Sequence, residues 1–167
     1  MSRTTDILLT ALAPAIWGST YLVTTEALPD GYPVTLAALR ALPAGLLLLA
    51  VTRCLPPRAW LGRAFLLGTF NFALFWVLLF VAAYLLPGGV AATLGALQAM
   101  MVIFMARGWL GTPIRVGALL AAAAGVLGVA LLLIGPEAGL DPLGVAAGLG
   151  GAASMAAGTV LSRKWQP

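Results

Sequence analysis

The chain has 167 residues, 62% of them hydrophobic and only 8% charged, with a mean hydropathy of +1.05. A water-soluble domain carries about a quarter charged residues, so this composition cannot clothe a globular surface in water and excludes soluble enzymes. The net charge of +4 would suggest nucleic acid in a soluble protein, but the basic residues fall mostly between apolar runs and report topology, so no nucleic-acid partner is expected.

A hydrocarbon layer about 30 Å thick takes roughly 20 residues of helix. Six apolar runs of that size follow one another: Ile7 to Glu26, Val34 to Thr52, Arg63 to Leu86, Gly89 to Ala106, Ile114 to Ile134 and Leu143 to Ser162. Turn chemistry divides them, at Leu28-Pro29-Asp30-Gly31, Pro56-Pro57, Leu86-Pro87-Gly88-Gly89, Leu110-Gly111-Thr112-Pro113 and Gly135-Pro136-Glu137. The expected fold class is therefore all-α and integral to a lipid bilayer, with six transmembrane helices. The first run ends in acidic residues without a small-residue cleavage pattern, so it is expected to stay as a span rather than to be a cleaved signal.

The charges alternate with the loops. Arg3, Arg53, Arg58, Arg63, Arg107, Arg115, Arg163 and Lys164 all fall on one side, while the opposite loops carry Asp30, Glu137 and Asp141 and no Lys or Arg. The positive-inside rule then places both termini in the cytoplasm of a cell (plasma or inner) membrane protein.

Within the first span Trp17, Thr20, Tyr21 and Thr24 share a face, which suits a cavity for amphipathic organic solutes as well as ordinary packing. Arg40 is the ninth basic residue and lies inside the second span, where a bare guanidinium costs several kcal/mol at least, so it needs a partner or water. Glu26, ending the first span on the same side, is the expected ion-pair partner. Pro43 is expected to bend this helix. Asn71 and Gln98 are amides in hydrocarbon, which call for helix partners or a wet cavity. Small residues form stripes at spacings of four, Gly117, Ala121 and Gly125 on the fifth span and Gly144, Gly148, Ala152 and Ala156 on the sixth, a helix-packing pattern.

Several chemistries lack their residues. With one cysteine and no histidine, neither a disulfide nor a Cys/His metal site can be built, and no cofactor is expected. No acid lies mid-span to carry a proton, Ser19 and Ser154 have no histidine base, and no Walker sequence is present, so an enzyme is not expected.

Gly18-Ser19-Thr20-Tyr21-Leu22 in the first span echoes Ala157-Gly158-Thr159-Val160-Leu161 in the sixth, and the charges that follow are acidic after one copy and basic after the other. A five-helix unit repeated with inverted topology produces that inversion.

The chain resembles the drug/metabolite transporter superfamily, specifically its EamA-type transporters. The resemblance is carried by Trp17-Gly18-Ser19-Thr20-Tyr21-Leu22-Val23, Leu39-Arg40-Ala41-Leu42, Asn71-Phe72-Ala73-Leu74-Phe75, Leu86-Pro87-Gly88-Gly89-Val90-Ala91-Ala92-Thr93, Gly95-Ala96-Leu97-Gln98 and Gly125-Val126-Leu127-Gly128-Val129-Ala130. Ala99 and Thr112 stand where the family commonly has Pro and a Gly-Glu pair. The resemblance implies a ten-helix fold of two inverted five-helix repeats (5+5), alternating access and export of amino acids or other small metabolites. Residues 1–140 would be the first repeat and 141–167 the opening helix of a truncated second one. The implied cavity residues are Trp17, Thr20, Arg40, Asn71 and Gln98. A small-molecule substrate and either a second copy or a missing C-terminal half are the expected partners. The competing class is a transport-inactive scaffold or subunit that acts through helix association.

Overall fold

A computed structural model describes residues 3–27, 31–133 and 140–166. Among these residues there are six helices and no strand: α1 (Arg3–Glu26), α2 (Pro33–Thr52), α3 (Arg58–Leu85), α4 (Gly88–Leu110), α5 (Val116–Leu133) and α6 (Pro142–Trp165). Five are long and apolar enough to cross a membrane, and α5 is a shorter apolar helix. The expected end of the fifth span at Ile134 and the turns at Leu28-Pro29-Asp30 and Gly135-Pro136-Glu137 lie outside the described residues.

Several helices run past their apolar segments. α1 begins at Arg3 and α6 continues to Trp165, because backbone hydrogen bonding does not stop where the side chains turn polar. The ends follow local chemistry. The Asp141 carboxylate accepts from the Leu143 and Gly144 amides at 2.8 and 3.0 Å, with Pro142 in the first turn. α4 stops at Gly111, whose φ of 69° is the left-handed conformation that glycine adopts without a Cβ penalty. α2 remains a continuous helix through Pro43.

Two irregularities divide the long helices. In α3 a wide turn at Thr69–Ala73 carries an amide-to-carbonyl bond five residues long, from Leu74 to Thr69. In α4 the chain tightens at Leu97, whose amide reaches back only to Leu94, at 3.1 Å. The wide turn faces α6, where the Ser154 hydroxyl donates to the Phe70 carbonyl at 2.8 Å.

Helix α6 is the centre of the assembly, packed against both α3 and α4. Lipid tails are as apolar as leucine, so such contacts depend on close packing, and small residues provide it. Ala156 and Val160 of α6 and Leu94 of α4 are almost wholly buried. Helices α1 and α2 each rest on α3, α5 leans, among the described residues, on α4 alone, and their outward leucines are exposed, as a hydrocarbon solvent permits. Among the described residues the backbones of α1 and α2 stay apart, and this separation leaves a cleft between them.

Candidate functional site

α1 rests on α3 through aromatic rings. Trp17 stacks on Phe75 at 5.9 Å between centroids and meets Trp76 at 5.2 Å, and Trp76 in turn stacks on Phe80 at 6.0 Å. This ridge divides the candidate residues between two cavities. On one side a cavity of about 390 Å³ lies between α1, α3 and α4, lined by Trp17, Gly18, Tyr21, Phe75, Gly95 and Gln98, among others. On the other a cleft of about 490 Å³ opens between α1 and α2, lined by Thr20, Thr24, Arg40 and apolar side chains.

The first cavity combines ring faces with one half-buried amide, Gln98, placed just after the tight turn at Leu97. Gly95 borders it without a side chain, and a Cβ there would stand in ordinary contact with the Tyr21 hydroxyl, at 3.7 Å. Its volume falls within the roughly 300–1,000 Å³ typical of small-molecule sites, and its mixture of apolar walls with a few polar groups is the usual composition of such sites.

Arg40 has different partners from the one its charge suggested. Its Nη1 donates to the Thr20 hydroxyl at 2.8 Å, and its guanidinium lies 4.1 Å from the Trp76 ring centroid and 5.7 Å from that of Trp17. No ion pair joins it to Glu26 among the described residues, which corrects the expected pairing. The reason is depth. Arg40 lies seven residues into α2, about 10 Å from its start, and the residue of α1 at that level is Thr20, about 9 Å back from Glu26. Thr20 is buried, whereas Glu26 is exposed.

Asn71 lines neither of these two cavities. It sits in the wide turn of α3, donates through Nδ2 to the Leu67 carbonyl at 2.9 Å, and occupies the space where a Cβ on Gly158 of α6 would stand. Its place is the α3–α6 contact, because the wide turn swings it toward α6. The glycine stripes also divide. Gly144 and Gly148 are buried, and a Cβ at either would press on Leu85 and Leu86 or on Leu94. Gly117 and Gly125 have open space beside them, since α5 lies at the edge of the bundle. Trp76, Phe80 and Gly95 belong to the site although the sequence reading did not select them. A tryptophan in mid-span with aromatics at i−1 and i+4 was the available signal, since tryptophan otherwise concentrates at the membrane interfaces.

Apolar helices that leave leucines outward and border an open cavity lined by rings and an amide define a multi-pass helical membrane protein with a solute-sized space between its helices. The chain belongs to the EamA-like transporter family, whose sequence model matches residues 4–134. It is similar to Protein PecM of Dickeya dadantii (strain 3937), with 46% identity over 153 residues, 92% of this chain and 51% of that protein. The chain thus spans about half the length of that relative. No solved structure matches it.

Proposed function

We propose that the chain forms half of an alternating-access exporter for small organic metabolites such as amino acids. Residues 1–140 make one five-helix repeat, and residues 141–167 make the first helix of an inverted second repeat. The observation that carries this reading is the α1–α3–α4 cavity, whose ring faces and single amide suit a small organic solute better than a bare ion. In this reading the solute stacks on Trp17, Gln98 hydrogen-bonds its polar group, and rocking of the complementary repeat, a second copy or a C-terminal half, exposes the cavity to each side in turn. Counterflow of a panel of radiolabelled amino acids into liposomes holding the chain tests it. Accumulation above protein-free liposomes is expected. No flux from a chain of monomeric mass would favour a scaffold acting through helix association.

The same reading puts both termini in the cytoplasm, from the segregation of Arg and Lys. The exposed Cys54, in the connection between α2 and α3, reports it without engineering. A membrane-impermeant maleimide is expected to label Cys54 in inside-out vesicles and to leave it unlabelled on intact cells. The opposite pattern would reverse the orientation.

A further inference from the structure

We propose that the α1–α2 cleft is a second binding site, separate from the cavity above, for an amphipathic oxyanion: a carboxylate or phosphate on Arg40, with an apolar body along Val23, Leu36 and Leu39. A guanidinium has five N–H donors, and that of Arg40 gives one bond, to Thr20. Among the described residues no carboxylate stands within ion-pairing distance of it. Nor, among the described residues, is any side-chain nitrogen sealed away without a partner, so the remaining N–H groups of Arg40, which lines the cleft, are accessible. The guanidinium carbon lies 4.1 Å from the Trp76 ring centroid, a contact that uses none of its N–H donors, and a guanidinium edge is what grips an oxyanion through two parallel hydrogen bonds.

The walls define the rest of the ligand. Among the described residues the α1 and α2 backbones do not meet, and the cleft is lined by Val23 and Leu39, both of which are exposed. An inorganic anion would leave those apolar walls uncovered, whereas an acyl or aryl body would cover them. Such a ligand has two sources, an anionic lipid of the bilayer or a dissolved solute with a charged end. The site stands independently of what the α1–α3–α4 cavity carries.

Trp17 and Trp76 flank Arg40, so the part of the tryptophan quenching that is lost in Arg40→Gln reads the site, above a background from the other three tryptophans. With the full chain in neutral detergent, bromododecanoate is expected to quench saturably, and bromododecanol, equally apolar but uncharged, is not. In Arg40→Gln the apparent Kd for bromododecanoate should rise about tenfold, as for loss of one charge-assisted contact. Leu39→Phe keeps the guanidinium, narrows the cleft at an exposed position and should also weaken binding, with an unchanged thermal midpoint. Equal quenching by acid and alcohol, or bromododecanoate binding untouched in both variants, would overturn the site. In nanodiscs, stronger quenching by brominated phosphatidylglycerol than by brominated phosphatidylcholine, abolished by Arg40→Gln, would support the site and identify a lipid source. Equal quenching by the two lipids, with bromododecanoate still saturable, would support it with a dissolved source.

Discussion

Gly144→Leu is expected to be the most destabilising single substitution considered, at about 1–3 kcal/mol, the usual cost of forcing bulk into a packed contact. A Cβ at position 144 would lie 2.8 Å from both Leu85 Cβ and Leu86 Cγ, and the first of these is fixed to the backbone of α3. Relief therefore requires α6 to move away from α3, and α6 is the helix on which the bundle is organised. Gly117→Leu is the matched control, since open space surrounds that position on α5 and exposed substitutions usually stay within about 0.5 kcal/mol. Thermal unfolding of both variants in detergent makes the comparison. Equal midpoints would mean that the α3–α6 contact is not the one described.

Gly95→Trp should have the largest functional effect. The side chain would enter the α1–α3–α4 cavity beside Tyr21 and occupy the space assigned to solute. Counterflow should fall by about tenfold or more, the loss expected when a binding contribution of roughly 1.4 kcal/mol or more disappears. The thermal midpoint should shift far less than in Gly144→Leu, because position 95 borders a cavity rather than a packed contact. Undiminished flux would place the solute path elsewhere.

The spans were legible because length, hydropathy and turn residues act locally, and a hydrocarbon solvent allows few alternatives to a helix. The division of the site was not. Trp17, Thr20, Tyr21 and Thr24 occupy an arc of about 100° on α1, so periodicity groups them as one face. α1 rests on α3 through part of that arc, so Trp17 and Tyr21 fall on one side of the contact and Thr20 and Thr24 on the other. For Arg40 the need for a partner was readable, but its identity depends on relative depth along two helices. Charge favoured Glu26, and the rise per residue selected Thr20. The wide turn at Thr69–Ala73 follows Gly68, a single glycine that does not by itself announce an extra residue in the turn, and it sends Asn71 to α6.

A solute path must be wet, so alternating access requires water to reach the α1–α3–α4 cavity from one side of a membrane. With Cys54 replaced by serine, Gly95→Cys and Ala92→Cys line that cavity, whereas Leu127→Cys replaces an exposed outward side chain of α5. Reaction of membrane-embedded protein with a charged thiol reagent measures access directly. Modification at positions 92 and 95 with none at 127 is the predicted result, and labelling at 92 and 95 no faster than at 127 would contradict it.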